Sequence, residues 1–281
     1  MSTSPPLRYA VFGHPIAHSL SPAIHQAFAR QSGLALEYHA IDAAPAAFAD
    51  AVNRFFAEGG RGANVTVPHK AAAFALAASA SDAATRVGCA NVLTGMPDGR
   101  LAAHNTDGAG LVRDLTVRHH CDLRGQRALL LGAGGAARGV AWNLLDAGLA
   151  ALTIVNRSPA AATALAGAIG DAAPVRARDW SDLAALGPYD LVLNATSAGV
   201  HGHALALPAS LVGAHSFCYD LSYGAAAGTF LAWAQAAGAG AAVDGLGMLV
   251  ETAADTFELW HGRRPETDPV YRQLRAASSV R

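Results

Sequence analysis

The stretch Arg127-Ala128-Leu129-Leu130-Leu131-Gly132-Ala133-Gly134-Gly135-Ala136-Ala137-Arg138 decides the fold. Arg127 to Leu131 reads as a strand, the residues after the glycines as a helix to about Ala147, and Leu152 to Val155 as a second strand. The glycine run matches G-x-G-x-x-A, a weak pattern that gains meaning between a strand and a helix. Glycines let the backbone approach a pyrophosphate, and amides at the helix N-terminus stabilise its charge. Gly132, Ala133, Gly134, Gly135 and Ala136 are therefore candidate dinucleotide contacts. The bland alternative, a tight turn without ligand, fits the βαβ context less well.

An NAD site expects Asp or Glu at the end of the second strand, about 20 residues on. Asn156-Arg157-Ser158 stands there instead. A guanidinium pairs with a 2′-phosphate that a carboxylate would repel, so NADP is the expected cofactor. By position alone Arg157 could equally be an ordinary surface arginine.

Outward from this unit the chain alternates strand and helix signals. Strands are expected at Tyr9–Phe12, Leu36–Ile41, Ala63–Val67 and Ala90–Thr94, then at Leu191–Asn194, Ser216–Asp220 and Ala241–Val243. Ser21-Pro22 reads as an N-cap followed by proline in the first helical position. Further helices are expected near Ala46–Phe56, from Pro68, and over Ala109–Arg118. This alternation implies an α/β protein with parallel sheets covered on both faces. The last helix, Leu246 to His261, carries Leu246, Leu249, Val250, Ala253, Phe257 and Trp260 on one face, which reads as core; Met248 and Thr252 point elsewhere.

With 281 residues, two domains are expected. Twenty basic and 21 acidic residues leave the chain nearly neutral, so no nucleic-acid or anionic-membrane partner is expected. Cys89, Cys121 and Cys218 are odd in number and form no CxxC, which points to a reducing cytoplasm. Met1 to Arg8 lacks the apolar core of a signal peptide, and no apolar run approaches a membrane span. The twelve histidines form no HExxH and have no CxxC partner, so no metal is expected.

Two polar motifs precede the dinucleotide turn: Asn64-Val65-Thr66-Val67-Pro68-His69-Lys70 and Asn105-Thr106-Asp107-Gly108. Lys70 and Asp107 make a plausible acid/base pair, and proton-transfer groups upstream of a dinucleotide turn suggest a nicotinamide-linked oxidoreductase. A helix start beneath Lys70 disfavours its positive charge, while a nearby carboxylate favours it. The competing reading is an ordinary salt bridge.

Taken together the motifs resemble the shikimate dehydrogenase family over roughly Tyr9 to Leu274. The similarity rests on Gly13-His14-Pro15-Ile16-Ala17-His18-Ser19-Leu20-Ser21-Pro22, the two polar motifs, the glycine turn, Asn194-Ala195-Thr196-Ser197-Ala198-Gly199, Tyr219-Asp220-Leu221-Ser222-Tyr223 and Asp244-Gly245-Leu246-Gly247-Met248-Leu249. The resemblance implies reversible reduction of 3-dehydroshikimate to shikimate with NADPH, within the aromatic amino-acid (shikimate) pathway. It implies a substrate domain over residues 1–107, a Rossmann-like NADP domain over 108–244, and C-terminal helices, 245–281, that return to the first. Lys70 would exchange the proton and Asp107 would hold both the lysine and the reacting hydroxyl. Ser19 and Ser21 would bind the carboxylate, and Thr66, Asn91 and Tyr223 the ring hydroxyls. Thr196, Leu221 and Gly245 would lie around the nicotinamide, with Asp82 nearby.

The departures are specific. Thr252 stands where the family places a substrate-contacting glutamine, Ala161 where a second basic residue often follows Arg157, and Gly88-Cys89-Ala90-Asn91-Val92 replaces the usual Gly-Ala-Val-Asn-Thr. Thr252 leaves open a paralogue acting on quinate or a related cyclic hydroxy acid; a non-catalytic sensor of NADP(H) or of a shikimate-like ligand is a further alternative, against which stands the retention of both Lys70 and Asp107. The chain is expected to act on a small molecule, as a monomer or a homodimer.

Overall fold

The computed structural model describes residues 5–170 and 174–278, so Met1 to Ser4, part of the stretch read for a leader, lie outside them. The chain forms two compact units. One takes the chain up to Gly110 and resumes at Leu249; the other spans Leu111–Met248.

The first unit contains β1 (Leu7–Gly13), α1 (Ser21–Ser32), β2 (Leu36–Asp42), α2 (Phe48–Ala57), β3 (Gly60–Val65), α3 (Lys70–Leu76), β4 (Ser79–Ala80), α4 (Asp82–Val87), β5 (Val92–Gly95) and β6 (Leu101–His104). Its sheet runs β2-β1-β3-β5-β6-β4. The expectation of a parallel sheet is met for β2, β1 and β3 and for the β4–β6 pair; β5 pairs antiparallel with both β3 and β6. The β5–β6 pairing follows from the tight turn Met96-Pro97-Asp98-Gly99-Arg100, where Met96 N–H donates to Arg100 O (2.8 Å) and Gly99 adopts φ +82°. Proline, aspartate and glycine together favour that turn, and a turn this short can join only antiparallel strands.

Alternate residues of β1 serve two layers: Ala10 and Phe12 pack with Phe48, Val52 and Phe55, and Tyr9 and Val11 face the opposite side. That opposite side is covered by α1 together with α9 (Leu246–His261) and α10 (Thr267–Ser278), through Ile24, Phe28, Val250, Phe257 and Val270. Phe257 is fully buried, and cutting it to alanine would cost about 3–5 kcal/mol. Helix α9 thus begins in the second unit and contributes core to the first.

Connecting the two, α5 (Asp107–Arg113) runs on as a wider π turn over Asp114–Arg118, where a regular helix is predicted to continue. The fully buried Asp114 carboxylate accepts from Tyr219 Oη (2.7 Å) and Arg118 Nε (2.8 Å), which holds that turn open. The second unit contains β7 (Arg127–Leu131), α6 (Gly135–Asp146), β8 (Ala151–Asn156), α7 (Pro159–Ile169), β9 (Val175–Asp179), β10 (Leu191–Asn194), β11 (Phe217–Asp220), α8 (Gly228–Ala236) and β12 (Ala241–Asp244). All its strands are parallel, in the order β12-β11-β10-β7-β8-β9. That order reverses direction between β7 and β10, the doubly wound arrangement whose switch point binds dinucleotides at the carboxyl edge. Among the described residues no helix is long and apolar enough to cross a membrane.

Candidate active site and dinucleotide site

The polar motif after β3 is held from below. His69 is buried, stacks face to face on Phe48 (centroids 4.3 Å apart) and donates from Nε2 to Ala43 O at 2.7 Å. Ala90 N–H reaches Lys70 O at 2.9 Å. Lys70 therefore opens α3 two residues after Pro68, where the proline is predicted to open the helix. Its ammonium lies 2.5 Å from Asp107 Oδ2, the two side chains only 12% and 7% exposed. Asp107 opens α5, where the helix dipole favours a negative charge, whereas Lys70 sits where the dipole opposes a positive one.

Around the pair the asparagine amides are fixed in direction by their partners. Asn91 Nδ2 donates to Asp107 Oδ1 and to Thr106 Oγ1, both at 3.0 Å, while Asn91 Oδ1 accepts from Thr106 N–H at 2.9 Å. Asn64 is a further member that motif reading passes over. Tyr38 Oη donates to Asn64 Oδ1 (2.7 Å), and Asn64 Nδ2 reaches Thr256 Oγ1 (3.2 Å), which donates to Thr252 O (3.0 Å). Asn64 stands in the quoted motif, but its partner on β2 is 26 residues away and invisible to local reading.

A small cavity of about 80 Å³ opens among these groups, lined by Ser21, Asn64, Thr66, Lys70, Asn91 and Asp107, with Thr252, Leu249 and Ala253 of α9 as one wall. The α9 stripe read purely as core thus also contributes Leu249 and Ala253 to the cavity. Thr252 Oγ1 is buried without a hydrogen-bond partner, close against Gly110, where an added Cβ would come within 2.2 Å of it. A larger hollow of about 530 Å³ beside Phe56, Arg61 and Met96 holds no acid/base pair.

Ser21 is the first residue of α1 rather than its N-cap, which is Leu20. The capping hydroxyl is that of Ser19, which accepts from Ser21 N–H at 3.3 Å. Ser21 lines the cavity and Ser19 does not. With no acidic residue in its first turn, α1 still presents a helix start that favours an anion. Tyr223 lies in the second unit, half-buried after β11. Asp82 is exposed in the first turn of α4, in the first unit, whereas the other proposed cofactor contacts belong to the second.

In the second unit Gly132 adopts φ +110°, and a Cβ there would lie 3.0 Å from the carbonyl of Ala195. Only glycine suits that left-handed turn without pushing away the loop after β10. Gly134 precedes α6 in extended conformation, and a side chain there would meet nothing within 4 Å. Open space above the helix start, with no acidic residue in its first turn, fits a pyrophosphate. On the neighbouring strand Asn156 Nδ2 donates to Ser158 O (3.1 Å), and the intervening Arg157 is exposed. Thr196 Oγ1 donates to Asn194 Oδ1 (2.7 Å), and Gly245 N–H donates to Ser222 O (2.8 Å).

A lysine paired with a carboxylate in a polar cavity, in a chain that also carries a doubly wound sheet with a glycine turn, is the equipment of a dinucleotide-linked oxidoreductase. The comparisons with known proteins are more specific. Residues 11–93 match the shikimate dehydrogenase substrate binding domain, 114–201 the shikimate / quinate 5-dehydrogenase model, and 245–275 the shikimate 5′-dehydrogenase C-terminal domain. The shikimate dehydrogenase (NADP(+)) of Xanthomonas campestris pv. campestris is 58% identical over 98% of both chains. The crystal structure of an Ael1 enzyme from Pseudomonas putida superposes with a TM-score of 0.87 at 42% identity, covering 95% of this chain and 98% of that one. Shikimate 5-dehydrogenase from Thermus thermophilus, in complex with NADP(H) and shikimate, superposes at 0.81 with 34% identity, covering 96% and 99%. The chain belongs to the shikimate dehydrogenase family.

Proposed function

We propose that this protein reversibly reduces 3-dehydroshikimate to shikimate with NADPH, with Lys70 and Asp107 managing the proton. The observation that carries this is the 2.5 Å Lys70–Asp107 pair in a cavity whose other polar walls are Ser21, Asn64, Thr66 and Asn91. NADPH, when bound, supplies the hydride that the keto carbon receives. Lys70 gives a proton from its ammonium to the carbonyl oxygen, leaving a hydroxyl and a neutral amine that is recharged from solvent. In the oxidative direction the neutral amine takes the hydroxyl proton. Asp107 accepts from the lysine and from the reacting hydroxyl. Asn91 holds Asp107 in place, its own amide hydrogens already committed to Asp107 and Thr106.

Asn64 Oδ1 accepts one hydrogen bond, from Tyr38 Oη, so its second lone pair would be left for a ring hydroxyl, whereas Asn91 Oδ1 is engaged by Thr106. A ring bearing hydroxyl donors suits such a wall. The Ser21 hydroxyl at the start of α1 suits a carboxylate, with Ser19 holding that first turn. Thr66 lines the same cavity, and Tyr223 is assigned to the ring hydroxyls on the resemblance alone. In the second unit the glycine turn, with Asn156, Arg157 and Ser158 at the end of β8, would hold the pyrophosphate and the 2′-phosphate, and Thr196, Leu221 and Gly245 the nicotinamide end. Asp82 is assigned to the cofactor on the resemblance alone. We place the protein in the cytoplasm, as a monomer or homodimer.

The test is absorbance at the NADPH band with shikimate and NADP+, beside quinate and NAD+. Turnover of shikimate with NADP+ is expected; binding of both ligands without turnover would make the protein a sensor. Thr252, with its short side chain and unbonded hydroxyl, favours a second reading, a wider cavity wall that admits quinate. Comparing kcat/KM for the two acids, with Thr252→Gln expected to raise the value for shikimate, separates the readings. A fall in that value overturns the account of Thr252.

A further inference from the structure

On the half of the second sheet that runs β10, β11, β12, the last residues of the three strands are Asn194, Asp220 and Asp244. They are in register, Asn194 opposite Asp220 and Asp220 opposite Asp244, so they form one row across the carboxyl edge. All three are buried, at 3%, 1% and 6% exposure. Each spends its side chain on the loop that follows or on its neighbour. Asn194 Oδ1 accepts from the N–H (3.1 Å) and hydroxyl (2.7 Å) of Thr196, and its Nδ2 donates to Asp220 Oδ2 (2.7 Å). Asp220 Oδ1 accepts from Ser222 N–H at 2.8 Å. Asp244 accepts from Leu246 N–H (3.2 Å) and Gly224 N–H (3.1 Å), tying the loop after β11 to the start of α9.

We propose that Asn194, Asp220 and Asp244 are positioning residues that set the loops after β10, β11 and β12 in the conformation that receives the nicotinamide half of NADP. In a doubly wound sheet of this order that half lies over these three strand ends. The inference rests on the NADP reading of this unit. The chemistry of the middle residue supports it. Asp220 must accept from two N–H groups at once, one on each oxygen. A carboxylate does this, whereas an amide presents an NH₂ to one of the two donors. Burial pushes the Asp220 carboxyl up to about 6, against the bonds from Ser222 and Asn194 that hold it down, and Asp244 adds to the rise. An ionised group so placed is expensive for the fold alone, and a smaller apolar residue would cost less. Its use is to fix the Ser222 amide directly and to orient Asn194, which in turn holds Thr196.

The test is NADPH affinity, read by fluorescence, together with amide hydrogen exchange of the cofactor-free protein. Asp220→Asn should raise the NADPH Kd at least about tenfold, because a buried N–H loses its acceptor, and should speed exchange at Thr196 and Ser222. The KM for shikimate should stay within about twofold, a split that general loss of stability would not produce. Asn194→Ala, which strips Thr196 of its acceptor and leaves the Ser222 bond, should raise the same Kd and decides the matter if Asp220→Asn does not fold. Wild-type affinity in both variants overturns the role of the row. A wild-type protein that fails to bind NADPH overturns the cofactor reading and the row's role with it.

Discussion

The two units solve opposite problems with opposite means. The first holds an ammonium and a carboxylate 2.5 Å apart among side chains that specify one another, from Tyr38 through Asn64 and Thr256 on one flank and Asn91 and Thr106 on the other. The second offers mainly backbone: a glycine turn, a helix start and three loops whose amides are fixed by a buried row. A substrate that must be told from its close relatives needs side chains, because side chains can differ. A cofactor shared by many enzymes can be held by main-chain groups that any sequence with the right turn provides.

That contrast breaks most sharply at Lys70. Lys70→Ala is expected to lower kcat at least ~10²-fold while NADPH affinity stays near wild type. Near-normal turnover would remove the catalytic assignment. The second unit has one position where a side chain decides: Arg157→Asp should shift the NADP-to-NAD preference by about tenfold or more, through loss of a phosphate pair. An unchanged ratio of kcat/KM values would mean that the 2′-phosphate is read elsewhere. A smaller effect is expected from Tyr38→Phe, which frees Asn64 Oδ1 to rotate. The KM for shikimate should rise about three- to tenfold, the value of one neutral hydrogen bond, with little change for NADPH. Equal change for both ligands would make Tyr38 a general stability residue.

The mildest test sets the buried groups of the two units against each other. His25 is fully buried and stacks on Tyr38; burial, with His261 beside it, lowers it to about 3. Its stabilising contribution is complete above pH 6.5 and is lost as pH falls toward 3, on the order of 2 kcal/mol by pH 5. Asp220 behaves inversely: with its carboxyl raised to about 6, its contribution is greatest below the ordinary carboxylate range and is lost as pH rises through 6. His25→Phe should therefore flatten the acid loss of stability in the first unit, measured as urea midpoints at pH 7 and 5. A wild-type slope in the variant would show that another group carries it.

The same contrast governs what can be read without coordinates. The βαβ unit around Gly132, the strand Leu191–Asn194 and the helix Leu246–His261 are legible because glycine spacing and apolar periodicity are local signals. Strand β6, Leu-Ala-Ala-His, escapes because alanine has weak strand preference, although Pro97-Asp98-Gly99 announces its hairpin. Lys70 and Asp107 stand out as motif residues, whereas Asn64's bond to Tyr38 and the anchoring of His69 on Phe48 exist only through long-range contacts. Ser21 is one position off as a cap, since Ser19 reaches forward to do that work.

The order in which the chain leaves the ribosome gives α9 a further meaning. Val250 and Phe257 complete the packing around Ile24 and Phe28, and Thr252 closes one wall of the polar cavity, yet these residues are made more than two hundred positions after Ile24. The second unit has every strand of its sheet in hand before α9 begins. It can therefore finish first, while the amino-terminal half waits with an uncovered apolar face. A released chain ending just before Leu249 would carry every strand of the dinucleotide fold beside a half-built pocket, a species that chaperones would bind and proteases would clip on the amino-terminal side.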